Sequence, residues 1–190
     1  MEKKRIAVFA SGNGTNAIEL INKFSNHPAI EVSLVVTNNP NAGILEKIRD
    51  YDTDKEIIDN IQANNAEFLI RLMKNYSIDY IVLAGYLRKI PQELIQTFAD
   101  KIINIHPSLL PKFGGRGMYG IHVHNAVLEA KEHETGITVH LVNNEYDKGR
   151  ILAQHKLKIT EGFTAEKLQR AVQELELKNF SVEIEKYLLK

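Results

Sequence analysis

An amide and an imidazole stand two residues apart near the middle of this chain, at Asn104 and His106. They close an apolar run and Pro107 follows them, so a predicted strand gives way to a loop at this point. Alternate side chains of a strand point to the same side, so both groups are predicted to face one site. Open α/β folds bind ligands at such strand ends. An amide can hold a carbonyl oxygen, and a histidine can move a proton near neutral pH.

A third ionisable group, Asp147, lies in a predicted hairpin loop and is a candidate partner for His106. An aspartate shortly before Gly149 is also typical of a plain turn, so spacing alone leaves its role open. His140 lies in a predicted strand, where it can line the site or pack in the core. His122 and His124 sit near a predicted helix start and are weaker candidates.

Other reaction classes find little support in the sequence. A histidine-based metal site needs about three good ligands, and no carboxylate-rich cluster completes one, so we expect no metal. Ser108 lacks the glycine-flanked elbow of a serine hydrolase. The chain has no cysteine, which excludes disulfides, thiolate metal sites and cysteine nucleophiles.

A second candidate site is the sequence Ser-Gly-Asn-Gly-Thr-Asn at residues 11–16, between a predicted buried strand and an amphipathic helix. Glycines let the backbone approach a ligand, and a helix start offers amide donors to an anion. With Ala17 the loop fits the dinucleotide fingerprint, but residues 37–39 lack the expected acid. The lysine of a P-loop is absent. The pattern favours a phosphate-bearing ligand over a full dinucleotide, and a tight turn that merely needs glycine is the alternative.

Alternating strands and helices over the first hundred residues predict a parallel sheet with helices on both faces. Strands are predicted at residues 5–10, 30–36, 55–61 and 78–84 and before Asn104. Helices are predicted at residues 17–24 and 42–50, after Asn64 or Asn65, and after Pro91. A helix over residues 121–131, two strands at 136–143 and 151–159, and a long helix from Thr164 follow. The predicted fold class is α/β: an open, mostly parallel twisted sheet of about seven strands, Rossmann-like, with an antiparallel hairpin near the C-terminus. A single domain over residues 1–190 is expected.

Composition is ordinary for a globular protein, with 44% apolar and 25% charged residues, zero formal net charge and a pI near 7.1. This balance argues against a general nucleic-acid binder. No apolar run reaches membrane-spanning length, and the first residues lack a signal-peptide core. We therefore expect a cytoplasmic protein without nucleic-acid or membrane partners, and the sequence leaves both monomer and homodimer open.

Five sequence motifs, taken in their order along the chain, indicate a family. They are residues 11–16, Val-Leu-Ala-Gly-Tyr-Leu-Arg at 82–88, Asn-Ile-His-Pro-Ser-Leu-Leu-Pro at 104–111, Glu-Thr-Gly-Ile-Thr-Val-His at 134–140, and Asp-Lys-Gly at 147–149. Together they closely resemble the phosphoribosylglycinamide formyltransferase family, folate-dependent enzymes of purine synthesis, over nearly the whole chain. Methionyl-tRNA formyltransferase and formyltetrahydrofolate hydrolase look similar around residues 104–111. Each of those families carries an extra domain that we do not expect here.

The resemblance implies transfer of the formyl group of 10-formyltetrahydrofolate, a co-substrate, to the amine of 5'-phosphoribosylglycinamide in de novo purine (IMP) biosynthesis, without a metal. Asn104, His106 and Asp147 would form the catalytic trio, with His106 as proton donor. Asn104 and a protonated His106 would stabilise negative charge on the intermediate's oxygen. Asp147 would raise the pKa of His106.

The resemblance also implies binding residues. Gly14, Thr15 and Asn16 would hold the substrate phosphate, Glu176 would contact the ribonucleotide, and Leu87, Arg88, Lys89, Ile90 and Asn104 would border the folate. A family arginine near the folate aligns with Gln62, so that role is not transferred. Residues 113–120 form a longer, more glycine-rich loop than the common family form, and we expect ligands to order it.

Two other functions remain open: hydrolysis of formyltetrahydrofolate, and a non-catalytic module that binds folate or a nucleotide. A hydrolase needs no phosphate anchor. A pure sensor needs no proton donor beside an oxyanion site. The glycine loop and the trio of Asn104, His106 and Asp147 are therefore the features that discriminate among the three.

Overall fold

The computed structural model describes residues 3–190. The strands are β1 Lys4–Phe9, β2 Ile30–Thr37, β3 Asp54–Ile57, β4 Tyr80–Leu83, β5 Ile102–His106, β6 Glu134–Leu141 and β7 Ile151–Lys158. The helices are α1 Thr15–Phe24, α2 Ile44–Lys47, α3 Asn60–Ala63, α4 Ala66–Asn75, α5 Gln92–Thr97, α6 Ile121–Glu129 and α7 Ala165–Leu188. The strands follow the order β3-β2-β1-β4-β5-β6-β7 in one sheet, which confirms the predicted fold class. The chain divides into two compact units, one ending at Ile103 and one beginning at Asn104.

The first unit is organised around β1, which pairs in parallel with both β2 and β4. Residues 6–9 are fully buried and form one continuous apolar run, as is typical of a parallel strand that is buried on both faces of its sheet. The Phe9 ring packs edge-on against Tyr86 with centroids 5.2 Å apart. Helix α1 buries Leu20, Ile21 and Phe24, and it ends at Phe24 as predicted but begins two residues earlier than expected, at Thr15.

Two predictions in the first unit were wrong in extent. The helix expected over residues 42–50 is only the single turn α2. The strand expected over residues 55–61 ends at Ile57, because Asp59 starts α3. The Asp59 carboxylate accepts hydrogen bonds from the Ile61 and Gln62 amides, and the Gln62 side chain accepts one from the Asp59 amide. This capping box favours a helix over further strand. The Asn65 cap of α4 is confirmed by its hydrogen bond from the Phe68 amide.

The second unit holds an antiparallel hairpin and the longest helix. Strands β6 and β7 form the predicted antiparallel hairpin and pair from Glu134 opposite Lys158 onward, with an irregularity at Val139 and His140. Strand β6 begins and ends two residues earlier than the strand expected over residues 136–143. Thr164 caps α7, which buries Leu168 and Val172 among others. No helix within residues 3–190 is long and apolar enough to cross a membrane.

Candidate active site

The second unit gathers its ionisable side chains at the end of β5. His106 is the last residue of that strand and is 4% exposed, and Asp147 lies in the loop between β6 and β7. His106 Nδ1 lies 3.5 Å from Asp147 Oδ2. The structure thus brings together two residues that lie 41 positions apart in the chain, a pairing that spacing alone left open.

The other ring nitrogen of His106 has a backbone partner. Nε2 lies 2.8 Å from the carbonyl oxygen of Phe113. A carbonyl can only accept, so Nε2 carries a hydrogen and donates it. In the neutral imidazole Nδ1 then has no hydrogen, and it is the ring nitrogen that can take up a proton, 3.5 Å from Asp147 Oδ2.

The net pKa of His106 runs opposite to our expectation. Burial lowers it, Asp147 and the Phe113 carbonyl raise it, and His140 lowers it further, which leaves the pKa below the ordinary 6.5. Asp147 acts in the direction predicted, but burial outweighs it because desolvation disfavours the charged ring. The resting imidazole is therefore neutral at pH 7.

Asp147 is held by charge and by a backbone amide. Its backbone is left-handed, with φ of 56°, a region that aspartate enters more readily than most residues. The Gly115 amide donates to Oδ2 at 2.8 Å. Burial raises the pKa of Asp147, but His140, His106 and Gly115 together lower it below its usual value. The carboxylate is thus ionised beside a neutral His106.

Asn104 reaches the cluster through His140. The Asn104 Nδ2 atom lies 3.1 Å from His140 Nε2, and His140 Nδ1 lies 2.9 Å from the carbonyl oxygen of Leu141. His140 is 2% exposed and its Nε2 is 3.6 Å from Asp147 Oδ1. Of the two readings the sequence left open, the structure supports the one in which His140 lines the site. Its placement at the end of β6 is the signal that points there.

Thr138, which the sequence analysis missed, braces the loop after His106. Its buried hydroxyl donates to the Ser108 carbonyl at 2.7 Å and accepts from the Leu110 amide at 3.0 Å. Gln154 donates to the same hydroxyl at 3.0 Å and to the Leu110 carbonyl at 2.9 Å. Thr138 stands two residues before His140 on β6, so strand alternation was the available signal.

His124 is a buried histidine on α6. It is 2% exposed, and Nδ1 has no hydrogen-bond partner among residues 3–190. Burial lowers the pKa of His124 to about 4, and repulsion from His106, when that ring is protonated, acts in the same direction. His122, by contrast, is exposed and rests edge-on against Tyr119.

The glycine loop of the first unit is built from backbone. Gly14 is left-handed, with φ of 65°, and begins α1 without a side-chain cap. The Ile44 amide donates to the Gly12 carbonyl at 3.3 Å, and Lys47 Nζ donates to the Asn13 carbonyl at 2.9 Å. A β-carbon at Gly14 would lie 2.5 Å from Ile44. Helix α2 therefore fixes the loop and requires glycine at position 14.

The predicted phosphate and folate contacts lie as follows. Thr15 opens α1 and is exposed, and Asn16 is half-buried. Leu87 is 60% exposed, Arg88 is half-buried, Lys89 is exposed and Ile90 is buried. Glu176 lies half-buried on α7.

The segment from Gly85 to Ile90 holds unused hydrogen-bonding capacity. The Tyr86 hydroxyl and Arg88 Nε are buried without a partner among the described residues. Burial raises the pKa of Tyr86 to about 12, against the lowering effect of Arg88. The Leu87 amide donates to Ser11 Oγ at 3.3 Å, which ties the segment to the end of β1.

Within residues 3–190, no group of three or more histidine, aspartate or glutamate side chains is placed to hold a metal ion. The side chains around His106 can carry out proton transfer and hydrogen bonding. His106 and His140 both lie close to the carboxylate of Asp147, and the side-chain amide of Asn104 contacts His140.

Comparison with known proteins gives one consistent result. A family model described as formyl transferase matches residues 4–184. A chloroplastic phosphoribosylglycinamide formyltransferase of Arabidopsis thaliana is 40% identical over 176 residues, which cover 90% of this chain and 60% of that protein. The phosphoribosylglycinamide formyltransferase of Bacillus subtilis (strain 168) is 34% identical over 180 residues, which cover 92% of this chain and 90% of the relative.

A solved structure extends the likeness to three dimensions. The crystal structure of phosphoribosylglycinamide formyltransferase from Bacillus halodurans matches with a TM-score of 0.87 at 34% identity, and covers 98% of this chain and 96% of that one. The chain spans about three fifths of the length of the Arabidopsis relative.

Proposed function

The chain belongs to the formyl transferase family, and on that premise we propose that it transfers the formyl group of 10-formyltetrahydrofolate to the amine of 5'-phosphoribosylglycinamide. The observation that carries the proposal is the buried pair of His106 and Asp147, 3.5 Å apart, with Asn104 two residues back on the same strand. The relatives named for this reaction support the choice of substrates.

The proposed chemistry needs an oxyanion donor and a proton carrier. The substrate amine attacks the formyl carbon, a C–N bond forms, and negative charge develops on the formyl oxygen. An Asn104 amide hydrogen stabilises that charge. Neutral His106 accepts the proton that the amine loses and returns it to the folate nitrogen as the C–N bond to the folate breaks. Ionised Asp147 stabilises the transient imidazolium.

The binding roles are part of the same proposal. Gly14, Thr15 and Asn16 would hold the phosphate at the start of α1, where the helix dipole favours an anion. Leu87, Arg88, Lys89, Ile90 and Asn104 would border the folate, and Glu176 would contact the ribonucleotide. The unpartnered Tyr86 hydroxyl and Arg88 Nε support a ligand near that segment.

We also propose that residues 1–190 act as a single formyltransferase domain, since one family model spans residues 4–184. Small molecules would be the partners, with no metal, nucleic acid or membrane. A cytoplasmic location and the choice between monomer and homodimer stay predictions.

The test is the release of tetrahydrofolate from 10-formyltetrahydrofolate, followed by absorbance with and without the ribonucleotide. We expect release only when the ribonucleotide is present. Release without it would instead indicate a hydrolase. Folate binding without release under either condition would indicate a binding module, and both of these results would overturn the proposal.

A further inference from the structure

The two ring nitrogens of His140 have partners of opposite kind. The Leu141 carbonyl, 2.9 Å from Nδ1, can only accept, so Nδ1 carries a hydrogen. In the neutral imidazole this leaves the lone pair on Nε2, and the Asn104 Nδ2 atom, which can only donate, lies 3.1 Å from it. The Leu141 contact thus sets the position of the ring hydrogen independently of how the Asn104 amide is turned.

We propose that His140 is a positioning residue that fixes which way the Asn104 amide faces. The inference rests on the proposed formyl transfer. An asparagine amide has two faces, a donor NH2 and an acceptor oxygen, and half a turn about its terminal bond exchanges them. A lone pair on His140 Nε2 holds the NH2 on its side. A rotated amide would point its oxygen at that lone pair and lose the hydrogen bond.

This orientation decides what Asn104 offers to a substrate. One Nδ2 hydrogen goes to His140, and the second has no partner among residues 3–190. That second hydrogen is the donor that a developing oxyanion needs. The rotated amide would bring its oxygen toward the same charge and repel it. His140 therefore acts on the reaction through Asn104 and makes no contact with the reacting atoms.

The anchoring of His140 is what makes it able to hold a neighbour. It is 2% exposed on β6, and its Nδ1 hydrogen bond is to the carbonyl of the next residue on its own strand. Asp147 Oδ1 lies 3.6 Å from Nε2 and Asn104 Nδ2 lies 3.1 Å from it, so Asn104 is the closer partner of that nitrogen.

Two amide substitutions separate the two ring nitrogens. In His140→Gln the side-chain amide reaches the place of Nε2 and can still accept from Asn104. In His140→Asn the shorter amide reaches only the place of Nδ1. We expect His140→Asn to lower kcat about tenfold to a hundredfold with KM nearly unchanged, and His140→Gln to keep kcat within about threefold of the native value. Equal losses in the two variants would overturn the inference, and thermal unfolding of each checks that the fold is retained.

A double-mutant cycle asks whether His140 acts through Asn104. In an Asn104→Ala background, His140→Asn and His140→Gln should give the same kcat within about twofold, because the amide they would orient is gone. Losses that multiply would show an independent role for His140 and contradict the proposal.

Nitrogen NMR of the protein without ligands tests the same point apart from catalysis. We expect the His140 ring to show a protonated Nδ1 and a bare Nε2 at pH 7. A doubly protonated ring would mean that the Asn104 oxygen faces His140, and would overturn the inference even if formyl transfer is seen. If the native protein transfers no formyl group, the proposed function fails and the NMR result alone judges the orientation.

Discussion

The glycine loop at residues 11–16 and the cluster around His106 are built from different parts of the chain. The loop depends on backbone: a left-handed Gly14, a carbonyl braced by the Ile44 amide, and a helix start without a side-chain cap. The cluster depends on side chains whose charge is set by their surroundings: burial lowers the pKa of His106, and, against the effect of burial, the neighbouring histidines and the Gly115 amide lower the pKa of Asp147. A backbone site holds a permanent charge by geometry. A site that moves a proton needs groups whose protonation can change.

The comparison predicts the largest losses for substitutions in the cluster. His106→Ala and Asp147→Asn should each lower kcat about 10²–10⁴-fold, the usual contribution of a positioned acid or base. KM for both substrates should change little, since the glycine loop is untouched. Steady-state kinetics measures both constants.

Asparagine suits position 147 because it also tolerates the left-handed backbone, so the change removes charge without adding strain. Glu145→Gln is the matched control: it removes an exposed carboxylate from the same loop and should leave kcat unchanged. Native-like turnover in either cluster variant would remove it from the proposed mechanism.

The glycine loop should show the reverse pattern. Gly14→Ala places a β-carbon against Ile44 and forces a left-handed alanine. We expect the free energy of unfolding to fall by about 2–4 kcal/mol, from backbone strain and overpacking together. KM for the ribonucleotide should rise about tenfold, while KM for the folate stays near its native value.

Gly12→Ala controls for the loss of a glycine as such, because its β-carbon would meet nothing within 4 Å. Its free energy of unfolding should lie within about 1 kcal/mol of the native value, as is usual for changes without a steric clash. Urea unfolding of both variants checks this. Equal destabilisation by the two changes would mean that Ile44 does not set the requirement at position 14.

The smallest expected effect is the pH dependence of stability that comes from the buried side chain of His124. His124 has a pKa of about 4 in the folded protein and 6.5 as its ordinary value. Between those values the unfolded chain binds a proton that the folded protein does not, so stability falls as the pH drops from 6.5 toward 4. His124→Leu should flatten this fall in melting temperature. His133→Gln, an exposed change, should keep the native slope, and an unchanged slope in His124→Leu would contradict the assignment.

Sequence patterns predicted the elements whose cause is local. The predicted features are the buried run of β1, the cap of α4, the start of α7 near Thr164 and the hairpin of β6 and β7. All of them follow from short-range chemistry. The competition at Asp59 was missed because an apolar pattern over residues 55–61 reads as strand. The capping box that ended the strand lies in two polar side chains, Asp59 and Gln62.

The sequence suggested which residues belong to the candidate site, but it did not indicate their pKa shifts. The pairing of His106 with Asp147 could be suspected from residue types, but the sign of the pKa shift depends on desolvation, which the sequence does not display. The contact of His140 with Asn104 spans 36 residues and needs the geometry of two strand ends.

The hydrogen bond from His106 to the Phe113 carbonyl has a consequence for experiment. Its acceptor belongs to the main chain, so no side-chain replacement at position 113 can delete it, and alanine scanning is blind to this partner. Alanine substitutions over residues 107–120 test only the side-chain hydrogen bonds that hold the loop, such as the one that the Ser108 hydroxyl donates to the Lys112 carbonyl. Only an amide-to-ester exchange between residues 113 and 114, which weakens the carbonyl as an acceptor, reaches the contact itself.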